Sequence, residues 1–214
     1  MVKLETIRVT QFQYFSVMVI VILTSFVLFP GGRKIDGQST FISLIHLGSW
    51  AANYGAQLWV TLVAGLTMFY NLPRHMFGKV QSRLFPMFFL WSLVTAAVQL
   101  GTFVAQHPME SWQSAHTVEV VTLTTGFLTA AMNSLILSPL IVKAMVKTFR
   151  LEVEAGITDV IGHADVTELK KDPIYRDAYR MFRRYHGLGA LMTLAGLASN
   201  SIHLYYLTCQ CVPI

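Results

Sequence analysis

TVEVVTLTTGFLTAAMNSLILSPLIV, Thr117 to Val142, decides the fold. It carries one charged residue, Glu119, and exceeds the roughly 20 residues needed to cross a hydrocarbon core about 30 Å thick. Its polar and small members, Glu119, Thr122, Gly126, Thr129 and Asn133, recur every three or four positions and so share one helical face. Working outward, four more runs have the same character: Phe12 to Phe29, Phe41 to Tyr70, Leu84 to Gln106 and His186 to Leu207. Charged residues make up 13% of the chain, against about 25% in soluble domains. The expectation is an all-α integral membrane helical bundle of five spans, a four-helix core plus a peripheral N-terminal helix. Removal of the first run as a signal would leave four, but no small-x-small cleavage site follows it cleanly.

The chain divides into an N-terminal helix and exterior turn (1–40), core spans two to four (41–142), a charged segment (143–185) and the last core span with its tail (186–214). All Lys and Arg residues except Arg33 and Lys34 fall at the N-terminus, at 71–83 or at 143–185, which five spans bring to one side. The positive-inside bias assigns that side to the cytosol and the C-terminal tail to the lumen or exterior, in a plasma membrane or endomembrane. The net charge of +5 therefore reads as topology and contact with anionic lipid headgroups, not nucleic-acid binding. Ala144, Met145, Phe149 and Val153 face away from Lys147 and Arg150, so the fourth helix is expected to run on along the interface. Gly156 to Asp172 reads as a mobile loop before a short helix opening at Pro173.

The other core spans repeat the stripe. His46, Trp50, Asn53, Gln57 and Thr61 mark the second, Gln99 and its neighbours the third, and His186, Gly189, Thr193, Gly196, Asn200 and His203 the fifth. Lipid tails cannot hydrogen-bond, so the stripes should face one another around a polar interior built from His46, Asn53, Gln57, Thr61, Gln99, Glu119, Asn133, Asn200 and His203. Such groups serve helix packing by themselves. His46, Glu119 and His203 lie at similar depth and are the candidates for a metal, with haem or copper a lesser option, although no short metal-ligand spacing occurs. Cys209 and Cys211 are too few for a disulfide framework. No catalytic signature is present: there is no nucleotide loop, Gly-x-Ser-x-Gly elbow or His-Glu-x-x-His zinc motif.

Four strings resemble the transmembrane protein 205 family: HLGSWAANYGAQLWVTLVAG (46–65), LPRHMFGKVQSRLFP (72–86), KDPIYRD (171–177) and FRRYHGLGALMTLAGLASN (182–200). The resemblance implies small multi-pass membrane proteins associated in animals with resistance to platinum drugs. It covers His46, Trp50, Gln57, Trp59 and Thr61, the 72–86 loop, and Asp172, Pro173, Tyr175, His186, Gly187 and Asn200. His203 and the cysteine tail lie outside its motifs, and the run before Phe41 is an addition to it. Within the loop, Pro73 is expected to open a short re-entry helix whose Met76, Phe77, Val80 and Leu84 face the membrane. Arg74, His75, Gln81, Asp172, Tyr175 and His186 then make a cytoplasmic latch, with His75 and Gln81 touching His186. The leading function is binding or moving a small solute or metal species. A scaffold with a purely structural bundle is the alternative, and a haem- or copper-handling redox protein the third. A narrow bundle leaves a homo-oligomer open.

Overall fold

The computed structural model describes residues 40–107 and 109–211, so the first apolar run, Phe12 to Phe29, lies outside it. The described part is all-helical. Helix α1 comprises Thr40–Leu58, a π-helical segment Trp59–Ala64 and Gly65–Asn71 in unbroken succession. Helix α2 is Arg74–Gln106; α3 joins Ser114–Ala131, a π-helical segment Met132–Leu137 and Ser138–Glu154; α4 is Pro173–Cys211. Short 3-10 turns at Met109–Ser111 and Leu169–Lys171 lie in the connections.

Proline chemistry punctuates the chain. Leu72, caught before Pro73, takes φ −109° and ψ 142° because the proline ring disfavours helical backbone ahead of it, and α1 stops there. Pro139 cannot donate to the carbonyl four residues back, and the wide π turn of Met132–Leu137 directly precedes it. Two expectations change. The 72–83 stretch is not a separate re-entry helix but the opening turns of the 33-residue α2. The helix starting at Pro173 is not short, since it continues as the last span through Cys211.

The 155–172 connection is docked. Ile161 pairs with Pro73, and Val160 O accepts the Arg74 N–H at 2.8 Å. Asp159 Oδ1 accepts the His75 N–H at 2.7 Å, capping α2 from 84 residues away. Gly156 and Gly162, with φ +71° and +79°, supply the left-handed turns that bring the segment back to α2. The tail of α3 also differs from the interfacial helix expected. Its buried stripe is Ile141, Met145, Thr148 and Glu152, while Val153 is exposed.

Inside and outside are inverted relative to a soluble domain. His46, Asn53, Gln57, Gln99, Glu119, Asn133, Asn200 and His203 are buried, whereas Leu90, Trp91, Val94, Val118, Val121, Leu128, Leu135, Leu191 and Ile202 are exposed. Helices α2 and α3 are long and apolar enough to cross a membrane, and only 39% and 28% of their most apolar windows are buried. An apolar core helix of a soluble protein would be mostly covered; these need a non-aqueous solvent. Between α3 and α4 the approach is set by small residues. A Cβ at Gly126 would stand 2.8 Å from Ser199 Oγ, and one at Gly196 would stand 3.3 Å from Thr129 Oγ1.

Candidate functional site

At the bundle end away from the 71–83 stretch, one side chain from each helix joins a buried line. His46 Nδ1 of α1 lies 2.7 Å from Thr102 Oγ1 of α2, and His46 Nε2 lies 2.9 Å from His203 Nε2 of α4. His203 Nδ1 in turn lies 2.5 Å from Glu119 Oε1 of α3. His46, Glu119 and His203 are thus brought together, but in series rather than around a common point. Among the described residues no group of three His, Cys, Asp or Glu side chains has the disposition to hold a metal ion. Cys209 is exposed, and the Cys211 side chain lies outside the described residues.

Deeper in, amides bridge the helices. The Trp50 indole donates to Asn200 O at 3.1 Å, and the Asn200 amide donates to Gln57 Oε1 at 3.1 Å. Asn133, within the π-helical segment of α3, donates to Gly189 O at 3.2 Å and to Thr193 Oγ1 at 3.1 Å. Several buried polar atoms have no protein partner, among them Asn53 Oδ1, Ser92 Oγ, Gln99 Nε2 and Asn133 Oδ1. An unpaired buried group of this kind costs about 1–3 kcal/mol.

Below an apolar layer of Phe88, Phe89, Leu137 and Ile141, a cavity of about 500 Å³ opens among the four helices. Phe69, Phe77, Phe85, Phe149 and Phe182 supply aromatic walls, and Thr61, Gln81, His186 and Thr193 supply polar points. Thr61 therefore belongs to this cavity rather than to the amide layer. Gln81 Oε1 is buried there without a partner. His186 lies near Phe85 and Phe182, at ring separations of 6.1 and 5.7 Å.

Arg74, at the edge of the cavity, belongs to an ionic cluster centred on a residue that sequence reasoning passed over, Glu152. It is wholly buried and accepts from Arg74 Nε at 3.0 Å, Arg74 Nη2 at 2.8 Å and the Tyr175 hydroxyl at 2.7 Å. His75 Nε2 lies 3.1 Å from it. Burial works to raise the Glu152 carboxyl, but the bonds from Arg74, Tyr175 and His75 outweigh it and hold the group below the usual carboxylate range. Burial and the adjacent Glu152 push the Tyr175 phenol up. Of the six latch residues expected, Arg74, His75 and Tyr175 converge on Glu152. His75 is engaged there and not with His186, and Gln81 and His186 line the cavity. Asp172 accepts the Ile174 N–H at 2.8 Å at the start of α4. The missed signal was positional, since Glu152 follows Met145 and Thr148 on one helical stripe.

Transmembrane protein 205 of Danio rerio is 30% identical over 178 residues, covering 80% of this chain and 95% of the relative. The chain belongs to the transmembrane protein 205 family. Residues 48–150, spanning most of α1, all of α2 and most of α3, also match a domain of unknown function, DUF4149. No solved structure matches. Membership of the transmembrane protein 205 family and the two exposed apolar helices identify a membrane protein.

Proposed function

We propose that this member of the family binds a small amphipathic organic molecule in the 500 Å³ cavity, as a five-span protein whose 71–83 and 143–185 segments face the cytosol. The cavity carries the reading. Its volume falls within the roughly 300–1,000 Å³ of ligand sites, and aromatic walls with a few convergent polar groups are the usual makeup of one. Gln81 Oε1, buried and unpartnered, asks for a donor, so the ligand presents a hydroxyl or amine to it and apolar bulk to Phe85, Phe88 and Phe149. Arg74 is already held bidentate by Glu152 and is not free to recruit an anion. The concentration of Lys and Arg at one end supports the orientation.

A long-chain alcohol bearing a diazirine tests it in nanodiscs. Photolabelling should map to cavity residues such as Phe85 and Phe182, and Ala190→Phe, which fills the space, should remove most of that label. Labelling confined to outward residues such as Val121 and Leu135, or unchanged in Ala190→Phe, would overturn the proposal.

A further inference from the structure

The line from Thr102 to Glu119 has a direction that hydrogen-bond counting reveals. The Thr102 hydroxyl has one hydrogen, and its closest acceptor is Val98 O at 2.6 Å. With that hydrogen donated to Val98 O, Thr102 Oγ1 accepts from His46, and a neutral His46 then carries its hydrogen on Nδ1 and presents a bare Nε2 to His203. Two bare imidazole nitrogens cannot sit 2.9 Å apart, which puts a hydrogen on His203 Nε2. The 2.5 Å contact between His203 Nδ1 and Glu119 then needs a hydrogen of its own, held by the carboxyl or by an imidazolium.

We propose that Thr102, His46, His203 and Glu119 form a proton-binding relay that holds one transferable proton inside the bundle. With that proton aboard, the Glu119–His203–His46 set is neutral overall and every link is satisfied. Release leaves a second complete arrangement with one hydrogen fewer. The shared hydrogen stays on His203 Nδ1 and faces the Glu119 carboxylate. The His203 Nε2 hydrogen passes to His46 Nε2, and the hydrogen on His46 Nδ1 leaves as a proton to solvent at the end of the bundle that carries His107 and His116. The Thr102 hydroxyl swings from Val98 O to donate to His46 Nδ1. Loading and release thus exchange one proton with solvent at the Thr102 end of the line, with no oxidant or reductant involved. Both arrangements pair every atom of the line, as a relay requires and a purely structural bridge does not.

The surroundings suit this role. His46, Glu119 and His203 are 5%, 1% and 0% exposed. Trp50 from α1 and Tyr206 from α4 flank the His203 ring at 6.3 Å each. Phe103 from α2 separates His46 from His107, and His107 meets His116 of α3 at a ring distance of 4.8 Å. His107 and His116 are both partly exposed and, with Glu110 of the adjoining turn, are titratable groups at that end of the bundle.

The test compares wild type with Glu119→Gln, in which the amide can donate permanently to His203 Nδ1 and fix one direction. Both proteins, in nanodiscs and with [15N]histidine, are titrated while imidazole tautomers and proton uptake are followed. Wild type should take up one proton per chain more than the variant, with His46 changing from Nε2–H to Nδ1–H. In Glu119→Gln, His46 should stay Nδ1–H throughout, and uptake by His107 and His116 should be unchanged. Equal titration, a single fixed His46 tautomer in wild type, or one tightly held metal ion per chain that His46→Ala removes would overturn the proposal. A variant with lowered thermal stability would be replaced by His203→Gln, which should also lose the extra proton.

Discussion

Glu152 concentrates more polar contacts than any other described side chain, and it is wholly buried. Glu152→Ala strands the Arg74 guanidinium and should lower stability by about 3–5 kcal/mol, read as a fall in thermal midpoint in detergent. Tyr175→Phe removes one bond to a charged acceptor and should cost about 1.5–3 kcal/mol. The two shifts set opposite pH limits. Because the folded Glu152 value is depressed, its contribution is complete above the unfolded value, about 4.3, and is lost as pH falls through the folded one. Because the Tyr175 value is raised, its contribution is complete below about pH 10 and is lost as pH climbs further. Stability against pH should therefore form a plateau whose alkaline edge moves outward in Tyr175→Phe and whose acid edge moves in Glu152→Gln. Gly78 is a second sensitive point. A Cβ there would stand 1.8 Å from Phe149 Cε2, and Phe149 lies under Arg74 at 5.3 Å. Gly78→Ala should displace that ring and cost about 1–3 kcal/mol.

At the scale of elements, α2 depends on a cap that comes from the α3–α4 connection. Pro73 has no side chain to bond the first N–H groups, and Asp159 and Val160 serve them instead. Asp159→Ala should cost about 1 kcal/mol and raise hydrogen exchange at the amides of residues 75–77 without affecting the middle of α2. This dependence could not be read from the sequence. Asp159 stands between Gly156 and Gly162, which signal only a loop, and its partner is remote in the chain. The polar stripes were legible for the opposite reason. Helical spacing alone fixes which residues share a face, so His46, Gln57, Asn133 and Asn200 could be assigned to one interior before any neighbour was known.

For the whole molecule, orientation can be tested independently of any ligand. With Cys209 and Cys211 replaced by Ser, single cysteines at Lys79 and Asp165 should react with an impermeant maleimide from one side of sealed vesicles. A cysteine at Gln113 should react from the other. Labelling of all three from the same side would remove the proposed topology. The cavity and the proton line lie toward opposite ends of the bundle, the first beside Arg74 and the second beside His107. Ala190→Phe and Glu119→Gln should accordingly fail separately, one in photolabelling and the other in proton uptake.

Length and polarity along the chain determined the helical, lipid-solvated character of this protein and the inward turn of its polar faces. Both follow from local periodicity and from the refusal of hydrocarbon to accept hydrogen bonds. Only the tertiary structure decided which inward groups meet. It set His46, His203 and Glu119 in series rather than around a common point, drew His75 to Glu152 rather than to His186, and left Gln81 facing open space. Spacing specifies a direction around one helix axis, whereas a contact also depends on the rotation, depth and separation of the facing helix, which packing of the whole bundle sets.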